Sequence, residues 1–179
     1  MKLSIIVISA CTIFFNSCKS NLPAPRVENE ATEREAIAST LEKVMQENMI
    51  SKWYPAILDT TDGGYLSTFD KELKPVGNQD KMIVAQSRHL WNNSKASTFY
   101  NSEVNMQCAR HGFGFLQNKT WDAQYGGFYW LVDKKGNVKN NGDKTAYGNS
   151  FGLYATSAYY LASKDTDALN LAKKSFLWL

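Results

Sequence analysis

Two histidines occur in the chain, His89 and His111, and each directly follows an arginine, Arg88 and Arg110. An imidazole titrates near neutral pH while a guanidinium stays protonated, so these neighbours are the residue types of a proton-transfer site with a fixed positive charge beside it. The same residues serve equally well as hydrogen-bonded core groups, and the spacing alone does not choose between the two. A carboxylate pair for acid–base work would have to come from Asp59, Asp62, Asp122 and Asp133. Paired glycines at Gly63-Gly64 and Gly126-Gly127 do not form a phosphate loop, because neither G-x-G-x-x-G nor G-x-x-x-x-G-K-[ST] is present.

What positions these residues is a repeat. Displacing the chain by 63 residues matches Asp59 to Asp122, Gly63-Gly64 to Gly126-Gly127 and Tyr65 to Phe128. In the same register Asp70-Lys71 falls on Asp133-Lys134, Lys81 on Lys144, Ser87 on Ser150, and Leu90-Trp91 on Leu153-Tyr154. Self-similarity at one fixed period marks stacked supersecondary units. Each unit reads as a helix, a glycine turn with a small β-hairpin, and a second helix. Helical periodicity covers residues 31–49, 81–96, 102–117 and 144–162, and a hairpin signal joins Phe128 to Asn137. A further helix from Asp165 reaches Leu177-Trp178-Leu179 without a stop signal, so the sequence is expected to be truncated there. The repeat also changes the reading of single residues. The aspartates sit on repeat positions or turns and read as structural, and Lys81 and Lys144 are expected to anchor the Asp-Gly-Gly turns. Arg88, by contrast, falls on Phe151, so its charge departs from an otherwise matching helix.

The N-terminus reads as an address. Lys2 precedes an apolar run from Leu3 to Phe15, followed by Asn16-Ser17-Cys18. This is the pattern of a signal peptide over residues 1–17, and the Ser-Cys ending resembles a bacterial lipoprotein signal with Cys18 as the lipidated residue. Residues 18–30, with Pro23 and Pro25, read as a tether to a folded part over 31–179. Cys11 would leave with the signal, and Cys108 alone would remain as a free thiol. That leaves no material for a disulfide framework and little for a protein-only zinc site. The expected setting is the envelope of a Gram-negative bacterium, periplasm-facing, with the membrane touched through the anchor only. Twenty basic against 17 acidic residues give no electrostatic case for nucleic acid. Nine Tyr, nine Phe and five Trp fit a large core or a sugar-binding cleft.

A series of short motifs makes the reading specific. Trp53-Tyr54-Pro55, Asp62-Gly63-Gly64-Tyr65 and Gln86-Ser87-Arg88-His89-Leu90-Trp91 occur in that order. Ala109-Arg110-His111-Gly112-Phe113, Trp121-Asp122, Gly126-Gly127-Phe128-Tyr129 and Lys144-Thr145-Ala146-Tyr147-Gly148-Asn149-Ser150-Phe151 follow. Together they resemble the N-terminal half of the N-acylglucosamine 2-epimerase family, above all its cellobiose and mannobiose 2-epimerase branch. The resemblance implies an all-α fold, the (α/α)6 barrel, of which about the first half would be present.

It also implies an isomerase without a cofactor, acting on the reducing-end sugar of a disaccharide or on an N-acylhexosamine. The ring opens, a base removes the C2 proton, an enediolate forms, and a proton returns to the opposite face. Arg88 falls on the family's active-site arginine and Tyr147 on a cleft tyrosine that contacts the sugar. The family's catalytic histidines fall beyond position 179, which leaves His89 and His111 as core or supporting residues. Aldose–ketose isomerisation, (α/α)6 glycoside hydrolysis and non-catalytic glycan binding are the competing readings.

Overall fold

The computed structural model describes residues 27–179, so the expected signal peptide, Cys18 and most of the expected tether lie outside the described residues. Two units divide the chain, Met1–Ala38 and Ser39–Leu179. In the first, helix α1 (Val27–Val44) begins inside the stretch read as tether, and Arg34 pairs with Glu30 one turn earlier at 3.3 Å. In the second, wider helical turns over Met45–Ile50 lead to the short α2 (Ser51–Trp53). Helices α3 (Ile83–Phe99), α4 (Glu103–Phe115), α5 (Ala146–Ser163) and α6 (Thr166–Trp178) follow. Helix α3 packs on α4 and α5, and α5 packs on α6.

The helix starts have local causes. Ser102 and Asp165, one repeat apart, cap α4 and α6 by accepting the N–H of Asn105 and Asp167. Asn101 and Lys164 just before them share a left-handed backbone, with φ of 49° and 60°. Thr145 caps α5 by accepting from the Gly148 N–H. Lys81 and Met82 were expected to open a helix. Instead they form strand β1 (Lys81–Met82), antiparallel to β2 (Leu131–Val132) from the next unit. The hairpin expected after Phe128 closes through a bridge from Val132 to Val138, and its repeat counterpart is the bridge from Phe69 to Pro75.

The period of 63 therefore returns as a set of contacts. Lys81 is fully buried and donates to Asp59 Oδ2 at 2.9 Å and to the Gly63 carbonyl. Lys144 repeats this with Asp122 Oδ2 at 2.6 Å and the Gly126 carbonyl at 2.7 Å. Both lysines anchor the Asp-Gly-Gly turns as the sequence predicts, and both aspartates are structural. A second clamp lies beside each. The Gln86 amide accepts from the Tyr65 N–H at 2.9 Å and donates to its carbonyl at 2.7 Å. Asn149 makes the same two bonds to Phe128, at 2.6 and 3.2 Å. A buried backbone edge without a neighbouring strand needs such a partner, and a side-chain amide carries one donor and one acceptor in the right arrangement.

Within Ser39–Leu179 one apolar cluster joins the successive repeats, with Ile83, Leu90, Phe113, Leu116, Phe128, Tyr159 and Leu171 all buried. A smaller one gathers Tyr54, Ile57, Tyr65 and Cys108. Close approach sets two glycines here. A Cβ on Gly112 would lie 2.3 Å from the Tyr65 hydroxyl, and one on Gly152 would lie 2.3 Å from the Phe128 ring. Burial pushes the Cys108 thiol up to about 11, which leaves it a packing residue rather than a nucleophile.

Candidate functional site

Helices α3 and α5 occupy the same position in successive units, so residues 63 apart lie at the same level on neighbouring helices. That relation brings the sequence-predicted residues together. Arg88 is exposed on α3, and its guanidinium lies 5.0 Å from the centre of the Phe151 ring, its own repeat counterpart on α5. Three residues on, Trp91 stacks on its counterpart Tyr154 at 5.2 Å and an interplanar angle of 16°. Tyr147, 58% exposed, meets Phe151 edge-to-face at 5.1 Å and Trp130 at 6.4 Å. Arg88 and Tyr147 thus share one neighbour, the Phe151 ring. Between the helices lies an open hollow of about 530 Å3 lined by Arg88, Trp91, Asn92, Ser150, Phe151 and Tyr154.

The chemistry of this face is that of a cation among aromatic rings. Among the described residues no carboxylate lies within ion-pair distance of Arg88, so its N–H donors are not occupied by a counter-ion. Desolvation raises the Tyr154 phenol above its ordinary value, so it stays protonated and can donate as well as accept. Among the described residues, no three histidine, cysteine or carboxylate side chains converge to hold a metal ion.

The two histidines are used elsewhere. His89 Nδ1 shares a 2.8 Å hydrogen bond with the Tyr54 hydroxyl, and its ring lies 5.0 Å from Tyr65 and 6.3 Å from Trp53. Burial pushes its pKa down to about 4, so the imidazole is neutral at physiological pH. His111 donates from Nε2 to two carbonyls, Asp59 at 3.1 Å and Gly64 at 3.0 Å, and so pins the first Asp-Gly-Gly turn from the α4 side. Each imidazole thus has one ring nitrogen held by the protein, Nδ1 in His89 and Nε2 in His111.

Sequence reasoning missed the aromatic connection around Arg88. Phe151 was visible as the repeat counterpart of Arg88, and Tyr154 as that of Trp91, but contact between counterparts follows only once α3 and α5 are known to be neighbours. It also missed a buried polar pair between α3 and α4, in which Asn105 donates to Asn93 Oδ1 at 2.9 Å.

Residues 63–178 match the family described as N-acylglucosamine 2-epimerase (GlcNAc 2-epimerase). The cellobiose 2-epimerase of Ruminococcus albus is 31% identical over 138 residues, 77% of this chain and 35% of that protein. That of Dictyoglomus turgidum is 35% identical over 125 residues, 70% and 32% of the two chains. The solved cellobiose 2-epimerase of Bacillus thermoamylovorans superposes with a TM-score of 0.74 at 30% identity, over 80% of this chain and 36% of the other. A D-mannose isomerase structure shares the fold with a TM-score of 0.69 at 22% identity, over 79% and 34%. The paired helices are thus those of the expected (α/α)6 barrel. The matched part of the chain spans about a third of the length of these relatives. With the match running from the first Asp-Gly-Gly turn almost to Leu179, the chain belongs to the N-acylglucosamine 2-epimerase family.

Proposed function

We propose that this chain forms the substrate-positioning part of a carbohydrate 2-epimerase, with Arg88 as the catalytic cation and Tyr147 as a sugar contact. The observation that carries the reading is an exposed arginine without a carboxylate partner among the described residues, set among Phe151, Trp91 and Tyr154 between α3 and α5. When the C2 proton of the open-chain sugar is removed, negative charge spreads to the oxygens on C1 and C2. A forked guanidinium placed there stabilises that charge without itself giving up a proton. Returning the proton to the opposite face completes the epimer. The base is assigned to neither histidine of this chain, because the family resemblance puts the catalytic histidines beyond position 179 and His89 and His111 each have one nitrogen held by Tyr54 or by the turn carbonyls. The substrate class is a reducing sugar, and the relatives named for cellobiose make that disaccharide the first to test.

Cellobiose binding to the 179-residue chain, followed by tryptophan fluorescence, tests the site. Arg88→Lys keeps the charge and loses the fork, and is expected to weaken binding roughly tenfold. Product analysis then separates the chemistries: the expected result for this chain is unchanged sugar. A C2 epimer formed by it would overturn the reading of its histidines, a ketose would favour isomerisation, and a cleaved product would favour hydrolysis. We propose in addition that Cys18 carries a lipid anchor facing the periplasm. Cys18→Ser should move the protein from the membrane to the soluble fraction, and unaltered membrane association would refute the anchor.

A further inference from the structure

We propose that Phe151 is a positioning residue for Arg88, holding the guanidinium over its ring so that the charge faces the hollow with its N–H donors free. The inference rests on the sugar-site reading of that hollow. A guanidinium at an open surface must be held by something, and the usual partner is a carboxylate, which takes the same N–H groups that a ligand oxygen would need. No carboxylate takes that place among the described residues, and an aromatic face does instead, 5.0 Å from the guanidinium carbon. The attraction is to the ring quadrupole and acts through the flat of the guanidinium, so the in-plane N–H groups stay available at its edge.

The ring is itself fixed. Tyr147 meets it edge-on at 5.1 Å and 67°, and Tyr154 at 6.4 Å and 83°, so Phe151 is braced from both sides by rings on its own helix. Tyr154 in turn stacks on Trp91, three residues beyond Arg88. The repeat explains how the pair meets. Phe151 occupies on α5 the position that Arg88 occupies on α3, so the two side chains stand at one level on adjacent helices.

Side-chain nitrogen–proton NMR of the whole chain tests this without any turnover. The chain has four arginines, and Arg88→Lys identifies the Arg88 resonance by its loss. Protons over a ring face are shifted upfield, so the Arg88 signal should lie upfield of the other three. Phe151→Leu should return it to their range and weaken cellobiose binding about two- to fivefold. Phe151→Tyr, which keeps the ring, should preserve both the shift and the affinity. An unchanged Arg88 shift in a folded Phe151→Leu protein overturns the proposal, as does a Phe151→Tyr protein that behaves like Phe151→Leu. If Arg88→Lys leaves cellobiose binding intact, the sugar-site reading fails and the positioning role fails with it. If Arg88→Lys weakens binding while Phe151→Leu does not, the site stands and only the role of Phe151 is lost.

Discussion

Lys81 is a charged side chain with no exposed surface, and its partner Asp59 is only 3% exposed. Burial disfavours the Asp59 charge, but the Lys81 ammonium and the N–H groups of Asp62 and Thr61 outweigh it and hold the carboxyl below its ordinary pKa. Removing the lysine alone leaves that charge uncompensated, so Lys81→Met is expected to lose about 3–5 kcal/mol in urea unfolding. Asp59→Asn in the same protein should restore part of the loss, since the amide oxygen still accepts the turn N–H groups and the charge is gone. No recovery in the double variant would mean that the turn geometry, rather than the charge, depends on the pair. His89 gives a prediction in pH. Its folded pKa of about 4 lies below the ordinary 6.5, so between those values the unfolded chain binds more protons. Its share of stability is therefore whole above pH 6.5 and is lost as pH falls toward 4. Denaturation midpoints of His89→Gln across that window should fall less steeply than those of the parent, and parallel curves would refute the assignment. Sequence alone could pair Lys81 with the Asp-Gly-Gly turn, because both recur at one offset. It could not show that His89 meets Tyr54, since those residues lie far apart in sequence and their counterparts one period on, Gly152 and Gln117, are of other types.

At the scale of elements, the glycines separate backbone need from packing need. Gly127 has φ of +81°, and a Cβ there would lie 2.5 Å from the Trp178 ring. Its counterpart Gly64 meets Phe115 in the same way, and Phe115 and Trp178 are themselves one repeat apart. Each glycine turn is thus shaped to receive an aromatic ring from the end of the second helix after it, α4 for Gly64 and α6 for Gly127. Gly127→Ala meets both penalties and should cost about 2–4 kcal/mol. Gly114 lies near the end of α4 with ordinary helical backbone and open space where a Cβ would go. Gly114→Ala should stabilise the protein by roughly 0.5–1 kcal/mol, because it restricts the unfolded chain without disturbing the folded one. Thermal unfolding of the two variants decides the matter: equal effects would mean that backbone conformation and ring contact play no part. The helices and glycine turns were legible because periodicity and turn residues are local signals. Strand β1 was not, because Lys81-Met82 becomes a strand only by pairing with Leu131-Val132 of the next unit, a contact invisible to any local window.

For the whole molecule, the repeat means that each unit covers the apolar side of its neighbour, as α3 does for α5 and α5 for α6. Surfaces with no such neighbour remain open. Leu161 on α5 is 61% exposed, while Phe176 and Leu177 on α6 are 67% and 83% exposed. Leu161 lines a groove of about 770 Å3 together with Met45, Met49, Trp53 and Phe99, although the helical spacing of Leu41, Val44 and Met45 is that of a face meant for burial. Clustered apolar exposure on a folded surface favours association, at about 25 cal/mol for each Å2 removed from water. The purified 179-residue chain is therefore expected to associate as its concentration rises and to bind a hydrophobic dye while folded. Placing lysine at Leu161 and Leu177 should shift sedimentation toward the monomer, with stability changed by no more than about 0.5 kcal/mol, because neither side chain is in the core. A chain that stays monomeric and dye-free across the range would show that these faces are covered in solution. A lysine variant that associates as before would place the contact elsewhere, and one that unfolds would show that the two leucines hold the helices together.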